Sequence, residues 1–473
     1  NRNVRYNVFA KWTDHPTRNS TLRLTLTHHY GRWNGSGQIP LRKVQNGQLS
    51  RFGAIDPSEG GETIRSTSQV EYQIDFSGSQ AAFAKVWAQY ASLSLFSNFT
   101  FFLNDPVNGD GIEQTDHRWL AGWDLGYRQT LRLLPSEGIV TVGLQTRFDK
   151  AHVRLGTQHK RQSLAVTQES DIFEASYSPY IKVDLQLLPW LRLVGGGRMD
   201  LFTYDVADRC GAPCSLRPKG ATADAIASGK ANVTVGPWAD TELFLNIGTG
   251  FHSNDARDVV SNPAASTLPR AIGYEVGLRS RPWRGTEFTT TLWLLDLDSE
   301  LVFVGDEGTT AAREASRRWG TEVSFRWTPT KWLTTRGNVT YTKAAFRTTG
   351  GSIPLAPEFT AFASLTLRFP FGLAGTWQVL AVGSRPGTTD RQILLEPLTV
   401  ADLIIRSTVP ISLPTGRLEA FLSIRNVWNT EWRQAQFVFS SRLPDEPAEG
   451  ITDIHFVPGT PRMVMGGLTW HLD

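Results

Sequence analysis

Residues 190–204 read WLRLVGGGRMDLFTY, and they follow the turn Leu187–Leu188–Pro189. Every second residue gives Leu191, Leu193, Gly195, Gly197, Met199 and Leu201 in one set, while Arg192, Arg198 and Asp200 fall in the other. Side chains on a strand alternate between faces, so one face here is apolar and the other charged. About fifteen residues is long for a strand in a soluble sheet. A membrane-spanning strand uses roughly 9–11 residues in the hydrocarbon and runs on into the headgroups. The stretch starts on Trp190 beside a tight turn and ends with Phe202 and Tyr204. Aromatics at both ends of an apolar band suit an outer-membrane barrel strand. A long strand of a soluble sandwich would alternate in the same way, so repetition along the chain has to decide.

The pattern does repeat. Strand-like runs occupy Val4–Trp12, Thr21–Trp33, Thr63–Phe76, Ala81–Leu103, Asp116–Leu134, Ile139–Lys160, Asp171–Leu187, Trp190–Tyr204, Ala223–Val235 and Thr241–Phe251. They continue through Ile272–Arg281, Phe288–Val304, Trp319–Thr328, Trp332–Phe346, Phe359–Phe369, Ala374–Gly383, Thr399–Val409, Leu418–Trp428 and Met463–Leu472. Short turns alternate with long polar loops such as 34–62 and 104–115. The turns Gly236-Pro237-Trp238, Pro282-Trp283-Arg284-Gly285 and Pro329-Thr330-Lys331-Trp332 set tryptophans at one level of a wall, as a periplasmic aromatic girdle. This describes an all-β, antiparallel up-and-down transmembrane β-barrel of about nineteen strands. No helix-period segment stands out, and no repeat of about 20–50 residues points to a propeller or solenoid.

Composition bounds the function. A soluble chain of 473 residues would suggest about two to four domains, whereas a barrel uses the length as one. Apolar residues are 40% and charged residues 20%, and no apolar run reaches the ~18 residues of a helical span. The 16 Trp and 42 Gly fit girdles and tight strand packing, and also a sugar-binding β protein. A net charge of +3 offers nothing to nucleic acid. No catalytic or phosphate-binding motif stands in a suitable context, so no enzyme, cofactor or metal centre is expected. Cys210 and Cys214 flank a Gly-Ala-Pro loop, which reads as a small disulfide; half of a metal site is the alternative, with no His nearby to complete it.

Several pieces taken together resemble the barrel of a TonB-dependent outer-membrane receptor. They are Ser36–Pro40 with Arg51–Pro57, Leu188–Val194 ahead of Arg198–Asp200, Gly236–Asp240 through Gly250–Arg257, Tyr274–Leu278, Arg425–Asn429 and Pro458–Arg462. The resemblance implies a barrel of about 22 strands with a plugged lumen. It implies residence in the outer membrane of a Gram-negative bacterium and uptake of a scarce, bulky solute such as a ferric siderophore or other metal chelate. Its partners would be outer-membrane lipid, the solute, and TonB through the plug, and the receptor would be a monomer. Neither plug nor TonB-contacting segment is visible. Residues 1–473 therefore read as one barrel domain without the plug and about three first strands. A passive porin is the alternative.

Candidate substrate-binding residues are His252, Asn254, Asp255 and Arg257 at the outer mouth, with Arg51 and Asp56 in a second vestibule loop. His252, Ser253 and Asp255 resemble a catalytic triad only in composition, because they are near neighbours at one strand end. The loop 51–56 has a plain alternative, in which Phe52 and Ile55 tuck it against the wall. Arg192, Arg198, Arg326, Arg368 and Arg425 alternate with Asp200, Glu322 and Glu419, as salt-bridge ladders of a wet lumen would.

Overall fold

A strand that is apolar on one face along its whole length must bury that face or set it against hydrocarbon. Here one antiparallel sheet winds into a barrel wall and turns that face outward. The computed structural model describes residues 3–472 except 134–135, 212–213, 215, 263–265, 305–308, 410 and 414. The wall strands are β1 (Asn3–Asp14), β2 (Ser20–Asn34), β3 (Gly60–Ser77), β4 (Gln80–Ser97), β5 (Ile112–Leu133), β6 (Ser136–His159), β7 (Gln162–Leu188), β8 (Leu191–Asp208), β9 (Gly220–Trp238) and β10 (Thr241–Phe251). They continue as β11 (Arg270–Ser280), β12 (Thr286–Leu297), β13 (Ser316–Thr330), β14 (Leu333–Phe346), β15 (Phe359–Arg368), β16 (Leu373–Val382), β17 (Leu398–Ser407, resuming at Ile411–Leu413), β18 (Gly416–Arg425) and β19 (Met463–Leu472). Each pairs antiparallel with its sequence neighbour, giving among the described residues a meander of 19 strands.

Register settles the faces. Leu193 of β8 pairs with Val233 of β9, Val233 with Leu245 of β10, Leu245 with Val276 of β11, and Val276 with Leu292 of β12. This row lies on the outside, where Leu245 and Val276 are 52% exposed and Leu292 59%. Such a band faces hydrocarbon in an outer-membrane barrel. Exposed Trp190 and Trp238 stack at 6.1 Å beside the short turns. Tyr6–Tyr30, Tyr90–Trp119 and Trp319–Tyr341 pairs mark the other rim of the band. Among the described residues no helix is long and apolar enough to cross a membrane.

The glycines have a packing reason. A Cβ on Gly126 would lie 2.2 Å from the ring of Phe83, one on Gly143 2.4 Å from Tyr180, and one on Gly320 2.7 Å from Trp293. In each case an aromatic side chain lies across the glycine of the next strand, a device that holds sheet register.

Four readings need correction. The run Ala81–Leu103 leaves the wall at Ser97, because residues 98–111 fold around Asp110, whose carboxylate accepts from Thr100 and from the backbone of Leu103, Asn104 and Asp105. Phe288–Val304 breaks after Leu297, and Glu300–Val304 pairs with Thr309–Arg313 as a separate hairpin. Leu418–Trp428 stops at Arg425, since Asn426 takes a left-handed φ of 48°. Two short helices, α1 (Leu41–Gln45) and α2 (Ala256–Ser261), sit in loops too brief to show a helical period.

Asn426 is 1% exposed. Its amide donates to the carbonyls of Thr430 and Thr460 and accepts from Thr430 N–H, while its own N–H donates to Asp402. Asn426→Ala strands these groups and puts a branched-free but Cβ-bearing residue without side-chain bonding in the left-handed region. It is expected to lower unfolding stability by about 2–4 kcal/mol, read as a fall in the denaturation midpoint. An unchanged midpoint would contradict this account.

Candidate functional site

The inner face carries the polar half of every strand. Along β5–β8 it is a ladder of ion pairs: Arg118 with Asp116 and with Asp149 (3.3 Å), Arg147 with Asp149 (3.1 Å), Arg198 with Asp200 (2.7 Å) and Arg192 with Asp184 (2.7 Å). Arg326 reaches Glu287 at 3.8 Å, and Arg368 donates to Thr334. A guanidinium and a carboxylate matched this way leave little net charge for a solute.

The loop between β10 and β11 folds inward against this wall. Ala256 and Val260 of α2 pack on Ile172, Phe202, Tyr204 and Val206 of β7 and β8. Asp255 caps α2 through the N–H of Arg257, and its carboxylate also pairs with the Arg257 guanidinium at 2.6 Å. Burial pushes the Asp255 carboxyl up, but those Arg257 contacts outweigh it and hold the group below its ordinary value. Arg257 also donates to Gln168 at 3.2 Å. Asn254 is buried and donates to the carbonyl of Ser266, and His252 Nε2 lies 3.3 Å from that of Ser299. Asp255 and Arg257 are thus brought together, while His252 and Asn254 bond separate carbonyls of the loops.

Arg51 belongs elsewhere, in a clasp between the two ends of the sheet, and Asp56 lies in the loop beside it. Ile39 and Pro40 add a short strand to the hairpin Arg433–Ser441/Ile451–Pro458, which connects β18 to β19. Arg42 of α1 donates to Glu446 at 2.7 and 2.9 Å, and its backbone N–H donates to Asp453 at 2.8 Å. Lys43 pairs with Glu446 at 3.2 Å and Asp445 at 3.3 Å. His455 is fully buried, stacked 3.8 Å from Phe439, with Nε2 2.7 Å from Ser441 Oγ. Arg51 donates to the Trp432 carbonyl and lies 5.6 Å over the Phe456 ring. The loop 51–56 is therefore anchored by Arg51; Phe52, read as a tucking residue, is 56% exposed. Asp56 accepts from Ser58 and Asn98. Next to it, burial pushes the Glu59 carboxyl up to about 8, against the lowering hydrogen bond from the Asn98 backbone.

A lumen cavity of about 690 Å³ lies between the upper inner faces of β12–β14, the loop Ile353–Pro357 and the clasp strand at Phe437–Phe439. None of the sequence candidates lines it. One sequence signal pointed there: Trp293 falls on the polar side of the β12 alternation, in register with Glu275 of β11. Cys210 and Cys214 are bonded in the β8–β9 loop, their Cα atoms 6.0 Å apart. Among the described residues no group of three or more His, Cys, Asp or Glu side chains is placed to hold a metal ion.

Comparison with known proteins gives this architecture its family. The structure superposes on the ferric citrate transporter FecA in its unliganded form, with a TM-score of 0.81 and 13% identity, over 99% of this chain and 70% of that one. It superposes on the closed form of the ferric-catecholate import receptor Fiu from E. coli K12, with a TM-score of 0.75 and 14% identity, over 99% and 75% of the two chains. The siderophore receptor PiuA from Acinetobacter baumannii gives 0.78 and 11% identity, over 99% and 74%. No curated protein matches the chain in sequence. At these identities the superpositions establish the fold alone. A family model described as TonB dependent receptor-like, beta-barrel matches residues 6–427. With that span of the wall matched, the chain belongs to the TonB-dependent receptor β-barrel family.

Proposed function

We propose that this barrel resides in the outer membrane of a Gram-negative bacterium and takes up a scarce, bulky solute by a TonB-dependent route. A metal chelate such as a ferric siderophore is the solute class we favour. The observation that carries the reading is the inward seating of the extracellular loops. The β10–β11 loop lies on the inner wall through α2, and the clasp hairpin and the loop Ile353–Pro357 enclose a drug-sized cavity. A passive pore gains nothing from such a lining; a receptor that must first bind its solute does. Further strands and a plug complete the wall and gate it, and TonB acts through the plug. The wall makes and breaks no bond; it binds and orients.

The test uses cells in which the intact receptor is the only one of its kind. Uptake of ferric citrate, a ferric catecholate and a copper chelate is followed with labelled metal. At least one is expected to enter, and its uptake to fall to background when the proton gradient is collapsed or TonB deleted. Flux that persists without TonB would overturn the reading in favour of passive permeation.

A further inference from the structure

The outer rim of the wall carries charge in two ways. Around β5–β8 bases meet acids: Arg154 faces Glu113 at 3.6 Å, His152 lies 2.7 Å from Asp171 and 3.1 Å from Glu169, and Arg209 pairs with Asp171. On β12–β14 the bases gather with little to oppose them. Asp296 of β12 stands in register with Arg317 of β13, and Arg317 with Ala345 of β14. Lys343 and Arg347 lie two residues to either side of Ala345. The N–H of Arg347 donates to the Ala315 carbonyl at 2.8 Å, so the ladder runs one step past β14 and keeps the alternation. Diagonal neighbours across an antiparallel pair are roughly 7–8 Å apart. Three cations therefore surround the small side chain of Ala345.

Only one acid touches them. Arg317 donates to Asp296 at 2.7 and 2.8 Å. Lys343 and Arg347 are exposed, and neither has a carboxylate in reach among the described residues. Glu314, the next acid along the chain, accepts from Thr349 Oγ1 at 2.6 Å. Like charges placed this close repel. An anion that bridges them removes the repulsion, and guanidinium groups match phosphate oxygens two at a time.

The patch looks toward the membrane. Leu292 of the apolar band shares its face with Leu294 and Asp296, which pair with Trp319 and Arg317. Lys343 stands in register with Trp319, and Arg317 is two residues nearer the outer end. Trp319 and Tyr341 pack edge to face at 6.2 Å. Aromatic belts lie at headgroup depth, so cations beside and above one meet lipid phosphates.

We propose that Arg317, Lys343 and Arg347 form a headgroup site for a phosphomonoester lipid of the outer leaflet, its phosphate over Ala345 and its acyl chains against Trp319 and Tyr341. Charge selects the group: three cations opposed by Asp296 leave two positive charges, and a phosphomonoester carries about −1.5 to −2 near pH 7. Free phosphate would use the cations alone, whereas a lipid uses the aromatic half of the patch as well. The inference rests on the outer-membrane reading only for the lipid met there, and not on the solute.

The experiment uses the intact receptor purified in a non-ionic detergent and mixed with equimolar dioleoyl phosphatidic acid and dioleoyl phosphatidylcholine. Retained lipid is counted by native mass spectrometry, and heat-modifiable migration is checked for every variant, so that misfolding is seen separately. Wild type is expected to prefer phosphatidic acid about tenfold. Lys343→Gln and Arg347→Gln are each expected to weaken that preference about fivefold. Arg154→Gln, on the part of the rim where bases are paired, is expected to leave it unchanged. Asp296→Asn raises the net positive charge and is expected to strengthen it about twofold or more, a sign that structural damage would not give. Excess sodium phosphate is expected not to displace the lipid. No preference in wild type, equal loss in Arg154→Gln, or weakening in Asp296→Asn would each overturn the site. Displacement by sodium phosphate would assign the cations to a free anion and overturn the lipid. None of these readouts needs TonB or energy, so a failed uptake experiment leaves them standing, and their failure leaves uptake untouched.

Discussion

Residues 1–473 produced by themselves are expected to yield no heat-modifiable, protease-resistant species in lipid vesicles. Among the described residues neither the free edge of β1 nor that of β19 has a partner strand. Along their 12 and 10 residues, alternate N–H and C=O groups point into that gap. Each such group left unpaired in hydrocarbon costs several kcal/mol, which is why spanning sheets close. The edges cannot simply meet. Across an antiparallel meander of 19 strands the first and last run the same way, so direct closure would make a parallel pair. An odd number of added strands restores antiparallel pairing, and three give the about 22 of plugged outer-membrane transporters. Adding an odd number of strands to the β1 edge is expected to recover the folded band. A protease-resistant band from residues 1–473 alone would show that the edges seal in some other way.

Glu446→Ala is expected to release the clasp. Glu446, Lys43 and Arg42 are 7%, 8% and 16% exposed at their side chains, and removal of the carboxylate leaves Arg42 only the carboxylate of Asp453 at 3.4 Å and Lys43 only that of the exposed Asp445 at 3.3 Å. Losing charge-assisted hydrogen bonds of this kind costs about 1.5–3 kcal/mol. Trypsin reads the result directly, because the bonds after Arg42 and Lys43 should become cleavable while the wall stays intact; unchanged digestion would sink the claim. Acid should act in the same direction. Burial pushes Glu446 up, but hydrogen bonds from Arg42, the Leu443 N–H and Lys43 bring it from 4.5 to about 2. Burial, with the Arg42 charge, lowers His455 from 6.5 to about 3. Both groups bind fewer protons folded than unfolded, so each contributes stability that is lost as pH falls. The His455 share fades from pH 6.5 towards 3 and the Glu446 share from 4.5 towards 2. The protection factors of the hairpin amides, which are corrected for the intrinsic exchange rate at each pH, should therefore fall steadily below pH 6.5, and protection unchanged down to pH 3 would count against the buried neutral His455.

The wall was legible because its information is local. A period of two, Trp beside each short turn and the spacing of the turns are properties of ten or so consecutive residues, and lipid imposes the same rule on every strand. Hence the Trp190–Tyr204 alternation maps onto β8, with Leu193 and Leu201 outward and Arg198 and Asp200 inward, whereas Phe202 and Tyr204, read as closing the apolar band, turn inward under α2. Errors fell where a strand leaves the wall. Residues 98–103 look like strand because Phe99, Phe101 and Phe102 are apolar, yet Phe101 is buried by a bridge to Arg442. The sequence could not show the partners of the loop candidates. Asp255 and Arg257 bond each other, His252 and Asn254 bond the carbonyls of Ser299 and Ser266, and in the second loop Arg51 reaches Trp432 while Asp56 holds Ser58 and Asn98.

From the sequence alone came the strand alternation, the aromatic rims and the family. The clasp and the cavity were decided only by the tertiary structure. Arg42 N–H meets Asp453 across 411 residues, and Trp293, Arg318, Ile353 and Phe439 come from four different elements. Loop residues have no period to reveal their partners. Those partners become neighbours only when the sheet curls and carries its two ends and its outer loops over one lumen.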